Sequence, residues 1–393
     1  MTAPFVDQVR QRLAGQGTEI TPAAVAEVVR AQAGGVVGDT DLLTALRVLR
    51  QEFVGAGPLE PLLRDEATTD VLVTGPDQVW VDTGGGLRRS TVSFPDEDAV
   101  RRLAQRLAVS VGRRLDDARP FVDGWLGHAG AAGRVRLHAV LPPIAQGGTC
   151  ISLRVLRPAV HDLDTLRALG TFDDELAAVL RDVVAARLAL LVSGSTGSGK
   201  TTLLAALLGC VPPEERVVCV EDTGEVQPDH PQLVRLVARP PNVEGAGEVT
   251  VRELVRQALR MRPDRIVLGE VRGAEVIELL AALNTGHEGG AGTVHANSPE
   301  EVPARLEALA ASGGLGRSAL HSQLAAAVHL VLHMRRDRDG RRHLAEIGVL
   351  DRQGDHVRVR SAWHHTTGWR EARPALTALL TDRATPSRNA VRP

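Results

Sequence analysis

The sequence predicts an α/β protein in which a larger C-terminal domain follows a smaller α+β domain and an N-terminal run of helices. Its 393 residues exceed the ~250 to 300 at which a single core usually splits, so we expect two domains. From Thr171 onward, segments of helical periodicity alternate with apolar runs of strand length. This alternation indicates a largely parallel sheet that is covered by helices on both faces.

The C-terminal domain is placed at residues 171–373. It begins with a helix, a strand, a helix and a strand, predicted over Asp173–Ala186, Leu188–Ser193, Lys200–Leu208 and Arg216–Val220. A strand at Ile266–Leu268 is followed by helices over Ala274–Leu283, Pro299–Ala311 and Ser318–Val331.

Four other segments complete the predicted organisation. Residues 1–50 carry apolar positions at helical spacing, so helices are predicted there. Residues 51–158 combine short alternating strands, glycine turns and one amphipathic helix, which is typical of an α+β domain. Residues 159–170 are predicted as a linker and residues 374–393 as a flexible tail.

The bulk composition argues against several classes of function. The net charge is −2, so no excess of positive charge is available to neutralise a nucleic-acid backbone. The three cysteines have no ligand spacing and are odd in number, which argues against a zinc site and a disulfide framework. No apolar run approaches the ~18 to 20 residues that span a bilayer. We therefore expect a cytoplasmic chain that meets membranes only through partners.

Lys200 is the only lysine among 46 lysine and arginine residues. A mutational bias toward arginine codons would explain the other positions, but Lys200 is then a place where a guanidinium does not substitute. A compact ammonium in a tight phosphate-binding loop fits that description.

The segment that contains Lys200 matches the phosphate-loop pattern GxxxxGKT. Residues 194–201 are GSTGSGKT, namely Gly194, Ser195, Thr196, Gly197, Ser198, Gly199, Lys200 and Thr201, and Thr202 follows. An apolar strand precedes this segment and a helix follows it, as the motif requires. We expect the backbone amides to hold the phosphates, Lys200 to reach the β and γ phosphates, and the Thr201 hydroxyl to ligate Mg²⁺.

Carboxylates stand at the ends of two later strands. Glu270 follows the strand at Ile266–Leu268, where ligands of open α/β sheets lie, and it could hold Mg²⁺ through water. The predicted strand Arg216–Val220 is likewise followed by carboxylates, Glu221 and Asp222, and Glu225 is close to them in sequence. One of these carboxylates could orient an attacking water, and we favour Glu221.

Two histidines, His287 and His295, lie in the glycine-rich segment NTGHEGGAGTVHAN. A pair of histidines in a loop of a phosphate-binding domain suggests a sensor of the γ phosphate. A metal site is disfavoured because no further ligand completes a set.

Four segments occur in one order: GSTGSGKT, RVVCVEDTGEVQ, RMRPDRIVLGEVRG and TGHEGGAGTVHAN. Together they resemble the secretion ATPase superfamily of type II and type IV systems. The segments GAGPLEPLL, VLVTGPDQVWVD, VGRRLDDARPFVDGWL and LHAVLPPIAQGGTCISLRVL resemble the tight-adherence (Tad/Flp) pilus branch, which is close to the conjugal-transfer ATPases. The resemblance covers residues 50–360.

The resemblance implies a hexameric ring in which an N-terminal domain and a RecA-like P-loop domain close around ATP and Mg²⁺. It also implies an inner-membrane platform protein as partner, through which the chain is held at the membrane.

Residue roles carry over by position. Lys200 and Thr201 match Walker A, Glu270 matches Walker B, Glu221 and Asp222 match the Asp box, and His287 and His295 match the His box. Arg136 and Arg154 match N-terminal-domain arginines that reach the phosphates, and Arg260 and Arg262 match arginines before Walker B. His138 departs from the usual asparagine, and an insertion at Gly130–Gly133 leaves Arg134 and Arg136 as alternatives for one role.

Other functions stay open on the sequence alone. A type IV secretion or conjugal-transfer ATPase would share the chemistry. A P-loop kinase would need an acceptor pocket for a small molecule, and a nucleotide-gated scaffold would bind ATP with little hydrolysis, against which Glu221 and Glu270 argue. A DNA-remodelling RecA-like protein is disfavoured by the charge balance.

Overall fold

The computed structural model describes residues 55–126, 134–156, 161–242 and 245–384. The chain divides into two compact units between Arg157 and Pro158. The helices predicted over residues 1–50 lie outside the described residues. In the part of the chain that is described, no helix is long and apolar enough to cross a membrane.

The first unit is built on a six-stranded sheet. Its strands are β1 (Asp70–Gly75), β2 (Gln78–Asp82), β3 (Leu87–Arg89), β4 (Phe121–Leu126), β5 (Arg134–Val140) and β6 (Cys150–Leu156). They lie in the order β3-β2-β1-β6-β5-β4, and all neighbours are antiparallel. Helices α1 (Glu60–Arg64) and α2 (Glu97–Ser110) accompany this sheet.

Helix α2 shows why these residues pack as they do. The Asp96 side chain accepts a hydrogen bond from the Ala99 amide at 2.7 Å, which caps the first turn. Val100, Leu103 and Leu107 recur at intervals of three and four and are buried. They join the apolar side chains of the sheet in one core.

The second unit is built on a nine-stranded sheet. Its strands are β7 (Leu190–Gly194), β8 (Val217–Glu221), β9 (Leu233–Val237), β10 (Arg265–Val271), β11 (Ala291–Val294), β12 (Leu330–Arg336), β13 (Arg342–Gln353), β14 (His356–His364) and β15 (Gly368–Trp369). The helices are α3 (Leu163–Ala168), α4 (Asp174–Ala185), α5 (Lys200–Leu208), α6 (Val251–Ala258), α7 (Val276–Leu283), α8 (Val302–Ser312), α9 (Arg317–Ala327) and α10 (Arg373–Ala384).

The sheet order is β15-β14-β13-β12-β7-β11-β10-β8-β9. The strands from β12 to β9 are parallel to their neighbours, and β13, β14 and β15 extend the sheet in antiparallel pairs. Every residue of β7 is buried, because helices pack on both faces and form two separate cores. The predicted parallel sheet with helices on both faces is confirmed.

The tail predicted at residues 374–393 is wrong for its first part, because residues up to 384 belong to α10. Leu376 is buried in the core, and Leu379 and Leu380 pack against it. Their spacing of three and four places them on one helical face. Burial of this apolar face stabilises the helix.

The predicted linker, residues 159–170, contains α3 among its described residues. Leu163 and Leu166 are buried in the core of the second unit. The Asp162 side chain caps the helix by accepting a hydrogen bond from the Thr165 amide at 2.7 Å.

Candidate functional site

Most of the predicted site residues lie at one edge of the sheet in the second unit. Strands β7, β8, β10 and β11 are parallel, so their carboxyl ends meet at the same edge. The loop at 194–199, Glu221, Glu270 and His295 lie at or directly after these ends.

The loop between β7 and α5 depends on glycine at two points. Gly199 has a φ of 96° directly before Lys200, the first residue of α5. A Cβ at Gly194 would lie 2.3 Å from the Met334 carbonyl oxygen, so β12 packs directly on the start of the loop. The loop therefore leads straight into a helix N-terminus, where an anion is stabilised.

The side chains of the loop differ in exposure. Ser195, Thr196 and Gly197 are exposed, and Thr201 and Thr202 in the first turn of α5 are half-buried. The Ser198 hydroxyl is buried and has no hydrogen-bond partner among the described residues. A buried hydroxyl without a partner is costly, which is consistent with a polar ligand at this loop.

The Lys200 ammonium is held inside the loop. Its Nζ donates a hydrogen bond to the Ser195 carbonyl oxygen at 2.8 Å and lies 3.4 Å from Nδ1 of His295. Lys200 is only 7% exposed. Burial lowers the pKa of Lys200, and the negative charge of Glu270 opposes this effect.

Glu270 connects several charged groups. Its Oε1 lies 2.7 Å from Nε2 of His295, and its Oε2 lies 2.5 Å from the Arg272 guanidinium. Arg272 also pairs with Asp222 at 2.5 Å. Burial lowers the pKa of His295, and the positive charge of Lys200 lowers it further. His295 is therefore expected to be a neutral imidazole at pH 7.

Glu221 is the most enclosed carboxylate of the site, at 2% exposure. Its Oε1 accepts hydrogen bonds from the backbone amides of Glu225 and Val226, both at 2.8 Å. Its Oε2 is buried and has no hydrogen-bond partner among the described residues. Burial raises the pKa of Glu221 to about 7, although the two amide bonds oppose the rise. A carboxylate with this pKa is suited to accept a proton near neutral pH.

Glu225, the third carboxylate considered from the sequence, is also perturbed. Burial raises its pKa, and the charges of Asp222 and Glu270 add to the rise. Its side chain accepts a hydrogen bond from the Thr223 hydroxyl at 3.2 Å.

The structure separates His287 from the other site residues, contrary to the prediction. His287 precedes β11, whereas His295 follows it, so the two histidines lie at opposite edges of the sheet. Nδ1 of His287 lies 3.1 Å from the Ala282 carbonyl oxygen in α7. Arg260 and Arg262 precede β10 and lie at this far edge as well.

The two predicted arginines of the first unit lie side by side there. Arg136 in β5 and Arg154 in β6 are partners in the sheet register. Arg136 pairs with Asp123 at 2.7 Å and Arg154 with Asp70 at 2.8 Å. Both arginines are thus held on the same sheet by cross-strand aspartates.

Arg272 and Arg342 belong to the site but are absent from the sequence-based prediction. The Arg342 Nε donates a hydrogen bond to the Gly197 carbonyl oxygen at 2.9 Å. Arg272 lies two residues after Glu270, and this short spacing could have pointed to it. Arg342 reaches the loop only through the pairing of β13 with β12, which the sequence did not predict.

Cavities open beside the loop. One of about 480 Å³ is lined by Ser195, His295, Asn297 and Arg305, among others. Another of about 230 Å³ is lined by Leu166, Thr202, Met334 and Arg342, among others. In the described part of the chain, no group of three or more His, Cys, Asp or Glu side chains could hold a metal ion.

Comparison with known proteins places the chain in a family. The family model described as type II/IV secretion system protein matches residues 52–380. The chain belongs to this family. Proteins similar to this chain carry names from conjugal transfer and from type IV secretion.

Two relatives of this secretion family illustrate the similarity. A protein of Mycobacterium tuberculosis that is named for conjugal transfer is 66% identical over 350 residues, which cover 89% of this chain and 99% of that protein. The type IV secretion system protein PtlH of Bordetella pertussis is 34% identical over 276 residues, which cover 63% of this chain and 78% of PtlH.

One solved structure shares the fold of this chain. The pilus retraction motor PilT with bound ADP aligns with a TM-score of 0.54 and 22% identity, covering 76% of this chain and 83% of that chain. At this identity the likeness shows the fold alone. The second unit has a RecA-like α/β fold.

Proposed function

We propose that the chain is the ATP-hydrolysing motor of a secretion or pilus assembly machine. The observation that carries the proposal is the Lys200 ammonium, which is held by the Ser195 carbonyl inside a glycine loop, with Glu221 and Glu270 at the same sheet edge. Membership of the secretion family supports the same chemistry.

The substrate is ATP, held with its phosphates along the loop. Backbone amides of residues 194–199 and the N-terminus of α5 bind the phosphate oxygens, and Lys200 neutralises charge on the β and γ phosphates. The unpartnered Ser198 hydroxyl and the exposed loop surface support a polyanion here.

The Thr201 hydroxyl and Glu270, the latter through water, are proposed to hold Mg²⁺. Hydroxyl and carboxylate oxygens suit this hard cation. When bound, Mg²⁺ would neutralise charge on the transferring phosphoryl group.

Glu221 is proposed to accept the proton of the attacking water, because its carboxylate has a pKa of about 7 and an oxygen without a protein partner. His295, 2.7 Å from Glu270, is proposed to report the state of the γ phosphate. Arg136 and Arg154 are proposed to contact the phosphates of ATP, so that ATP binding and hydrolysis favour different states of the chain.

The proposed machine is a tight-adherence (Tad/Flp) pilus. Conjugal transfer is the alternative, favoured by the name of the 66% identical relative. In either case we propose a hexameric ring in the cytoplasm, held at the inner membrane by a platform protein. Direct binding of nucleic acid is not part of the proposal, because the net charge is −2.

The purified chain is expected to release inorganic phosphate from ATP when Mg²⁺ is present. Phosphate and ADP should form in equal amounts, and a chelator of Mg²⁺ should stop the reaction. A phosphorylated small molecule in place of phosphate would indicate a kinase. ATP binding without phosphate release would support a nucleotide-gated scaffold and would contradict the proposed motor function.

Gly269→Ala is expected to lower turnover roughly tenfold, because small displacements of a reacting group are costly. A Cβ at Gly269 would lie 2.5 Å from Cγ of Glu221, so Glu221 must move. Steady-state phosphate release at saturating ATP measures the effect.

Gly85→Ala is the matched control for this substitution, because a Cβ at Gly85 meets nothing within 4 Å. Turnover of Gly269→Ala equal to that of Gly85→Ala would contradict the proposed position of Glu221.

A further inference from the structure

Arg272 joins the ends of two neighbouring strands at the carboxyl edge of the sheet. It directly follows β10, and Asp222 directly follows β8, which pairs with β10 in parallel. Its Nη1 lies 2.5 Å from Oδ2 of Asp222, and its Nη2 lies 2.5 Å from Oε2 of Glu270. One guanidinium thus holds two carboxylates through different nitrogens, so it can release one and keep the other.

Both carboxylate oxygens of Glu270 have a neighbour. Its Oε1 lies 2.7 Å from Nε2 of His295, and its Oε2 is paired with Arg272. A cation that approaches Glu270 also meets the positive charge of Arg272, which repels it. Glu270 therefore serves a cation better if Arg272 moves away.

The exposure of these groups favours such a move. The Arg272 side chain is 48% exposed and that of Asp222 is 31% exposed, whereas that of Glu270 is only 16% exposed. Ion pairs between exposed groups contribute little to stability, so water can replace one of them. The backbone of Arg272 is fixed, because its amide and that of Gly273 donate hydrogen bonds to Oε1 of Glu275 at 2.7 and 2.8 Å. The side chain can thus pivot from a fixed point.

Asp222 is the residue that would keep Arg272 paired after this move. It already lies 2.5 Å from Nη1, so the guanidinium does not lose its second carboxylate when it leaves Glu270. This ion pair also distinguishes Asp222 from Glu221, whose Oε2 has no hydrogen-bond partner among the described residues. Glu221 is therefore the carboxylate with an oxygen open to a water molecule.

We propose that Arg272 and Asp222 form a switch at the Mg²⁺ site, in which Arg272 competes with Mg²⁺ for Glu270 and Asp222 retains Arg272 when Glu270 serves the metal. Both are positioning residues, because they act through Glu270. The switch rests on the proposed function, in which Glu270 holds Mg²⁺ through water.

A general charge effect is the rival explanation that a test must separate from a switch. Lys200, Glu225 and His295 all lie close enough to Arg272 for its charge to act on them. Removal of this charge would therefore alter the metal site even if Arg272 never moved.

The first test measures the affinity of the full chain for Mn²⁺, a paramagnetic substitute for Mg²⁺, by electron paramagnetic resonance with a non-hydrolysable ATP analogue. Arg272→Gln removes the competing cation and should tighten Mn²⁺ binding about fivefold or more, the lower end of usual couplings. Asp222→Asn leaves Arg272 with Glu270 alone and should weaken Mn²⁺ binding by about the same factor. Shifts in the same direction would overturn the proposal.

The double variant Asp222→Asn/Arg272→Gln separates the switch from the charge effect. In a switch, Asp222 acts only through Arg272, so the double variant should bind Mn²⁺ like Arg272→Gln, within about twofold. Independent charge effects would add, and the affinity would return to that of the wild type. Such a return would rule out the switch.

Arg358→Gln and Asp355→Asn are the matched controls, because each removes the same kind of charge from an exposed residue in β14 or in the turn before it. Both should bind Mn²⁺ as the wild type does. The melting temperatures of the site variants should also match that of the wild type, because the pair is exposed. Weaker Mn²⁺ binding by Asp222→Asn together with a clear fall in its melting temperature would show a structural role and count against the switch.

The second test measures phosphate release from ATP as the Mg²⁺ concentration is raised. Asp222→Asn should need about fivefold more Mg²⁺ for half-maximal turnover, yet reach the wild-type rate when Mg²⁺ saturates. A rate that stays low at saturating Mg²⁺ would identify Asp222 as the general base and refute its role as a positioning residue. If the wild type binds no Mn²⁺ with the analogue, the proposed metal site fails and the switch fails with it. If the wild type binds Mn²⁺ and hydrolyses ATP while all variants match it, the switch alone fails.

Discussion

Lys200→Arg is expected to lower ATP turnover about 10²- to 10³-fold, the usual cost of losing one group that stabilises transition-state charge. The substitution keeps the positive charge, so it tests whether the shape of the cationic group matters. Lys200 is 7% exposed and its Nζ is fixed 2.8 Å from the Ser195 carbonyl oxygen, inside the loop. A planar guanidinium is wider than an ammonium and cannot take this place without moving the loop. Single-turnover phosphate release measures the effect on hydrolysis. Binding of a fluorescent ATP analogue measures the effect on nucleotide affinity.

Arg358→Lys is the matched control, because Arg358 is exposed on β14. The chain uses arginine at every other basic position, so this exchange should leave turnover unchanged. Turnover of Lys200→Arg within threefold of wild type, with an unchanged melting temperature, would remove Lys200 from the mechanism. It would also make codon bias a sufficient account of the single lysine.

Glu221, Glu270 and the loop at 194–199 were predicted from one local feature, which is that each ends or directly follows a buried apolar run. Glu221, Glu270 and His295 end parallel strands, and the carboxyl ends of parallel strands meet. Local pattern was therefore enough to bring together residues that are far apart in the chain.

His287 shows where the same reasoning fails. The glycine-rich pattern predicts one loop over residues 284–297, whereas Ala291–Val294 is a buried strand. The segment resembles a loop in sequence because Gly290, just before the strand, and Gly292, within it, are required for packing. A Cβ at Gly290 would lie 2.6 Å from the Ile266 carbonyl oxygen, and one at Gly292 would lie 3.3 Å from that of Leu268.

The predicted helix over Ser318–Val331 is wrong at its end for a related reason. Helix α9 ends at Ala327, and Leu330 and Val331 belong to β12. No glycine or proline separates helix from strand, so the sequence carries no stop signal. The strand forms because it fits beside β7, where both of its faces are buried. This is a tertiary effect that a local pattern does not contain.

Glu221→Gln is expected to lower turnover about 10²- to 10⁴-fold, the usual contribution of a general base. The amide oxygen can still accept the hydrogen bonds from Glu225 and Val226, so the loop should keep its shape. In the wild type, the base is active only when ionised. Because burial raises the pKa of Glu221 to about 7, turnover should increase as the pH rises through 7 and then level off.

The raised pKa of Glu221 also predicts that the free energy of unfolding changes with pH in the direction opposite to turnover. The folded state holds the proton of Glu221 up to about pH 7, whereas the unfolded chain loses it near the ordinary value of 4.5. Between these values the folded state binds more protons, so the free energy of unfolding falls as the pH rises. Glu221→Gln removes this ionisable group. The free energy of unfolding of the variant should therefore fall less than that of the wild type over this pH range. Comparison of melting curves with turnover between pH 5 and 8.5 checks both trends. A wild-type rate that does not change across pH 7, or a Glu221→Gln variant that keeps full turnover, would move the role of base to Glu225 or Glu270.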